Sequence, residues 1–266
     1  MTILTAYIDG IGLLGPGFAD WPGSNAVLTG AAAYQYQPTV MPVPMALPPA
    51  ERRRCGPIIK VSLAVGYEAA AMARLDVKTL PTVFSASGGD GKTCHEICEM
   101  LASDDRLISP TRFHNSVHNA ASGYWSIAAG AMVTSSVLSG FDASFGAGLL
   151  EAIAQVTVDH TPCLLIACDT TYPEPLYKMR PISDEFGIGL ALMPTRSERS
   201  LAKISVALSS APADTMADSV LEQLRVSIPA ARGLPLLLSL ARRESAACMI
   251  GYLRNCTLAL EIEPCC

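Results

Sequence analysis

Apolar and polar positions divide most of the chain into alternating strands and helices. Residues 1–10 form a short apolar run ending at Asp9-Gly10, which predicts a strand and then a turn-rich connection through Gly23. Pro38, Pro42, Pro44, Pro48 and Pro49 crowd residues 34–49, so that stretch predicts a surface loop. Over residues 49–74 the apolar positions Ile58, Val61, Ala64, Val65, Tyr67 and Ala71 recur at helical spacing. Residues 80–86 predict a strand, 87–93 a glycine loop and 94–101 a helix. A polar stretch over 109–119 leads into an Ala/Gly-rich segment, and residues 132–137 predict a buried strand. Asp142 opens a helical pattern carried by Phe145, Leu149, Leu150, Ile153 and Val156. Strands are expected at 163–168, 188–193, 201–209 and 256–262, with an amphipathic helix over 215–227. The alternation predicts an α/β fold built in layers. No repeat is present, and the best domain boundary is a weak one near 196–200.

Composition adds an expectation about surface. Hydrophobic residues make up 50% of the chain and charged residues 16%, against roughly 25% charged in a typical soluble domain. That deficit predicts a large apolar interface with another subunit. A net charge of -5, with no basic block or basic–aromatic stripe, argues against a nucleic-acid binder. No apolar run reaches the roughly 18 residues of a membrane span, and Met1-Thr2-Ile3-Leu4 lacks a charged leader region. A cytoplasmic protein is expected. The nine cysteines are odd in number and irregularly spaced, so disulfides are not expected, and Cys163 and Cys168 read as small core residues.

Four segments carry candidate chemistry. The stretch from Ala86 to Thr93, with Gly88, Gly89, Gly91 and Lys92, fits a relaxed phosphate-binding loop between a strand and a helix. Asp169, at the end of an apolar strand, would then be the acidic partner for magnesium. The plainer reading is a glycine turn entering a helix. Cys94, His95 and Cys98, with His114 and His118, have helical i,i+4 spacing, but the thiol pair lacks a second pair to close a four-ligand zinc site. No G-x-S-x-G turn is present, and nothing in the sequence pairs His114, His118 or His160 with a nucleophile. The fourth segment runs from Val133 to Ala152, where Asp142 reads locally as an N-cap at the positive end of a helix dipole.

That segment resembles the nucleophile region of β-ketoacyl synthases, an apolar strand and small residues followed by a helix of the form x-A-S-x-x-A-x-x-x-E-A. In that family a cysteine opens the helix, where the helix N-terminus stabilises a thiolate. Counting back from Glu151-Ala152 places the cysteine position on Asp142. Other segments agree in order along the chain: Ile8 to Gly12, Trp21 to Gly30, Val83 to Gly89, Ser109 to Phe113 with Asn119 to Gly123, Cys168-Asp169, and Phe186 to Leu192. The resemblance covers residues 1–195 and implies a truncated thiolase-like fold, the ketosynthase N-terminal half. Residues 196–266 are then expected to form a short extension completing the same domain.

The resemblance further implies a pseudoenzyme. The nucleophile is absent, there is no H-G-T motif, and no histidine follows His160, whereas condensation needs an acyl-thiolate and stabilisation of the enolate charge. The chain therefore resembles the short chain-length-factor-type subunits of aryl polyene pathways. These are expected to pair with a full-length β-ketoacyl synthase as a heterodimer and to meet an acyl carrier protein through that partner. No cofactor is implied. By resemblance the strand containing Met132, Val133 and Val137 is the interface strand. Phe113, His114, Val117 and His118, together with Met132, are candidates to line or block the end of the partner's acyl tunnel. The alternatives left open are a nucleotide-binding enzyme using Lys92 and a hydrolase of acyl thioesters.

Overall fold

The computed structural model describes residues 3–265. Eight strands form one mixed sheet: β1 Leu4–Leu14, β2 Thr82–Ser85, β3 Ser135–Leu138, β4 Cys163–Asp169, β5 Phe186–Met193, β6 Ala202–Ser209, β7 Ala246–Leu253 and β8 Cys256–Pro264. Their order across the sheet is β3-β2-β4-β5-β1-β6-β8-β7. The β3-β2-β4 segment is parallel, and every other neighbouring pair is antiparallel.

Helices cover both faces. The longest are α3 Pro57–Ala73 and α7 Ser144–Asp159; the others that bear on the site are α1 Trp21–Leu28, α2 Pro49–Arg52, α4 Gly91–Ala102, α5 Pro110–Asn115, α6 Ala120–Ala129, α8 Leu176–Met179, α9 Ser219–Ser227 and α10 Leu234–Arg242. Strand β4 shows the layering most directly. Its Cys163, Leu165 and Ala167 face the layer holding α7 and α10, whereas Leu164, Ile166 and Cys168 face the layer holding α3 and α6. An alternating strand buried on both faces reads as a continuous apolar run, as this one does in the sequence. Helix α3 lies close against the sheet. Cβ atoms at Gly12 or Gly189, paired across β1 and β5, would each collide with the Val65 carbonyl of α3.

Several expectations are corrected. The helix expected over 49–74 is two helices, interrupted at Arg53–Gly56, because Pro57 fixes the start of α3 at its first position. Residues 21–28, expected as part of a connection, form α1. Asp20 caps it by accepting from the Gly23 amide at 2.6 Å, but only Trp21, Ser24 and Leu28 are buried, too sparse a stripe to read. The Ala/Gly-rich segment is α6. Strand β3 begins at Ser135, not at residue 132, and it is half-buried at the sheet edge rather than buried. The reason is topological: it has β2 on one side and no strand on the other. Strand β7 and helix α10 gave no separate signal in the sequence. No helix of the described residues is long and apolar enough to cross a membrane.

Candidate functional site

Strands β2, β3 and β4 run parallel, so their C-terminal ends open on the same side, where loops of α/β sheets place their sites. After β3 the chain makes a sharp elbow. Phe141 has φ 54°, the left-handed region, which a bulky side chain rarely adopts. Local bonds hold it there. The Ser144 hydroxyl donates to the Phe141 carbonyl at 2.7 Å and accepts from the Gly140 amide at 3.0 Å. A 3-10 turn over Phe141–Ala143 then leads into α7.

Asp142 lies in that turn and does not cap α7; the position before the helix is Ala143, with no side-chain cap bond. This corrects the capping expectation. The carboxylate is turned outward instead, to two arginines: Arg180 Nη2 donates to Oδ1 at 2.9 Å, and Arg232 Nη2 lies 3.3 Å from Oδ2. The Arg180 guanidinium also stacks 3.8 Å above the Phe141 ring centroid. An open cleft of about 600 Å³ adjoins this bridge, lined by Asp142, Arg180, Met179, Ile182, Val226 and Pro229 among others. None of the four histidines lines it.

Behind the elbow, buried Asp169 ties the loops together. It accepts from the Ser87 amide and hydroxyl after β2 and from the Ala230 amide of a 3-10 turn over Pro229–Gly233. Burial pushes its carboxyl up to about 6, against the lowering effect of those donors and of Arg180. Tyr172 packs against the glycine loop, where a Cβ at Gly88 would collide with its hydroxyl and one at Gly91 with its ring.

This geometry bears on the phosphate-loop reading. Tyr172 fills the space beside Gly88 and Gly91, and Asp169 spends its oxygens on the protein's own donors. At the N-terminus of α4 the anion is Asp90, which accepts from the Thr93 amide at 3.0 Å. Both features expected to receive a phosphate and its metal therefore already hold protein groups. Cys94 and Cys98 are exposed on α4, and among the described residues no group of three or more His, Cys, Asp or Glu is placed to hold a metal.

The remaining predicted residues lie on α5, on its link to α6 and around β3, and none lines the cleft. Phe113 and His114 are on α5, and the His114 ring meets Tyr124 of α6 at 6.2 Å. Val117 and His118 are exposed in the link to α6. Helix α6 is joined to β3 by a 2.8 Å bond between the hydroxyls of Ser122 and Ser135. Met132 and Val133 precede β3, and Met132 is 97% exposed. Val137 is half-buried in β3. The two sheet edges are paired to different extents. At β7, Asp214 covers one position: its carboxylate accepts from the Met249 amide and its amide donates to the Met249 carbonyl, each at 2.9 Å. At β3, the Thr134 and Leu138 carbonyls accept from β2. By the alternation of a parallel ladder, the backbone groups of Ser135 and Val137 then point to the open edge.

Sequence reasoning missed Arg180, Arg232 and Tyr172. No local signal marks them, since each reaches the elbow only through tertiary folding.

The sequence of residues 21–246 matches the family model described as beta-ketoacyl synthase, N-terminal domain. No curated protein matches the chain. Among solved structures, one is a ketosynthase (ApeO) in complex with its chain length factor (ApeC) from Xenorhabdus doucetiae. It matches with a TM-score of 0.73 at 20% identity, over 97% of this chain and 99% of that one. The ishigamide ketosynthase/chain length factor matches with a TM-score of 0.73 at 12% identity, over 98% and 99% of the two chains. A β-ketoacyl synthase from Burkholderia phymatum STM815 gives 0.57 at 12% identity, over 85% of this chain and 70% of that one. The ordered fold and the family match agree: the chain belongs to the β-ketoacyl synthase N-terminal domain family.

Proposed function

We propose that this protein is a non-catalytic, chain-length-factor-type subunit that pairs through β3 with a full-length β-ketoacyl synthase and shapes its acyl tunnel. The observation that carries the reading is the open backbone of β3. At β7 the protein's own Asp214 pairs both backbone groups of Met249, while β3 is left with the outward backbone groups of Ser135 and Val137 and is preceded by exposed Met132. An open edge bordered by apolar side chains is an aggregation hazard unless a partner strand covers it. The similarity to a structure described as a ketosynthase in complex with its chain length factor supports the choice of partner. The carrier protein would reach the assembly through that partner.

The elbow supports a lack of catalysis. By the resemblance Asp142 takes the position that the family gives to a nucleophilic cysteine, and it is engaged by two guanidinium groups. A carboxylate so paired is a poor nucleophile, and no histidine lines the adjoining cleft to serve as a base. The role left to the subunit is steric: side chains at the shared edge, Phe113 and Met132 first, would limit the tunnel by excluded volume.

The test is co-expression with a complete ketosynthase. The expected result is a stable heterodimer from both chains and a self-associated or insoluble product from this chain alone. Asp142→Asn in the pair should leave most condensation activity. A well-behaved monomer with no affinity for any ketosynthase would refute the reading, and so would a correctly assembled pair that Asp142→Asn silences.

A further inference from the structure

The elbow holds two cations against one anion. Arg180 and Arg232 both address Asp142, at 2.9 and 3.3 Å. The other acidic groups nearby are already committed. Glu222 is held by Arg225 through two bonds of 2.7 and 2.6 Å, and the Asp169 oxygens are taken by Ser87 and Ala230. Arg180 is stacked on Phe141, and the Nε atoms of both arginines are buried without a protein partner, which leaves each with donor capacity unspent. Asp142, by contrast, has a side chain 44% exposed, so solvent reaches the anion that the two arginines hold.

We propose that the elbow is a two-arginine carboxylate-binding site that the protein keeps closed with its own Asp142. The cleft in front of it supplies the rest of the ligand's chemistry. Met179, Ile182, Val226 and Pro229 give it an apolar wall, and its volume of about 600 Å³ lies within the range of small-molecule sites. The ligand class is therefore a monocarboxylate with an apolar tail, bound in competition with Asp142. The site rests on the elbow alone and stands whether or not the chain pairs with a ketosynthase.

Chemical rescue tests this. The thermal midpoint of the full chain is measured for wild type, Asp142→Ala and Asp142→Ala/Arg232→Ala, titrating acetate or hexanoate against chloride at fixed ionic strength. Asp142→Ala should melt roughly 3 °C below wild type. Acetate should restore that shift saturably, and hexanoate should do so at lower concentration because its tail meets the apolar wall. Wild type, whose site is filled, and the double variant, which has lost one arginine, should both respond as they do to chloride. If Asp142→Ala does not fold, Asp142→Ser, which also vacates the space between the arginines, is read in the same way. The proposal is overturned by a carboxylate response equal in all variants, or by none beyond chloride in Asp142→Ala or Asp142→Ser.

Discussion

Replacing Val137 with proline separates folding of the chain from assembly at its edge. The backbone N–H of Val137 points away from β2, because the Thr134 and Leu138 carbonyls are the groups that accept from it. Proline at this position therefore removes no bond from the existing ladder, and edge strands are where proline is tolerated. The isolated fold should lose only the packing of one half-buried valine, about 1 kcal/mol. In a paired edge the cost is different. The partner's carbonyl opposite Val137 would be buried without a donor, a penalty of roughly 1–3 kcal/mol. That corresponds to a dissociation constant raised about 5- to 150-fold. The assay is paired: chemical denaturation of the single chain, and titration of the partner ketosynthase by calorimetry or analytical ultracentrifugation. An unchanged dissociation constant would refute β3 as the paired strand. Equal losses in both measurements would show instead that the outward direction assigned to the Val137 amide is wrong.

Three other outcomes follow from the same coordinates. Phe113→Ala or Met132→Ala in the assembled pair should shift products toward longer chains with turnover largely kept, as read by mass spectrometry of released acyl groups; an unaltered product distribution would remove these side chains from the tunnel. Gly189→Ala sets a Cβ against the Val65 backbone carbonyl, which no rotamer change can relieve, so a loss of about 3 kcal/mol is expected in denaturant unfolding. Asp169 binds its proton more tightly folded, with a pKa near 6, than at its ordinary value of 3.8. The folded state therefore holds more protons between those values, and the stability contributed by the neutral form is complete below pH 3.8 and lost as the pH rises through about 6. Relative to Asp169→Asn, wild type should lose up to about 3 kcal/mol across that window in pH-dependent denaturation; parallel curves would contradict the raised pKa.

What the sequence disclosed depended on how locally each feature is encoded. Strand β4 and helix α7 are written in consecutive residues: a fully buried strand is a continuous apolar run, and a helix packed against a sheet repeats its apolar stripe. The placement of Asp142 just ahead of α7 was legible because the helical apolar pattern begins there. Its orientation was not. Capping is a local expectation, and it lost to Arg180 and Arg232, which lie 38 and 90 residues away in sequence. The same contrast holds at β3. Its apolar residues predicted a buried strand, but burial depends on strand order, and strand order at the sheet edge is set by the whole topology. Helix α6 went unread because small residues serve equally in turns and in close helix packing, and only the contact of Trp125 with Phe84 and Tyr67 decides between them.

The scarcity of charge and the open edge are two views of one property. A compact monomer of 28.0 kDa is expected to expose about 11,100 Å², whereas this chain exposes 12458 Å². The difference, on the order of 1,300 Å², exceeds the roughly 800 Å² that one partner contributes to a standard interface. Exposed apolar side chains stand on the proline-rich strap, at Val40, Val43 and Met45, and on α5, α6 and their links, at Phe113, Val117, Ile127 and Met132. Of these, Met132 leads directly into β3, where apolar area coincides with unpaired strand backbone whose directional bonds can fix a register. Apolar area alone would favour nonspecific association; joined to an open strand edge, it selects a partner whose own edge is complementary in both respects.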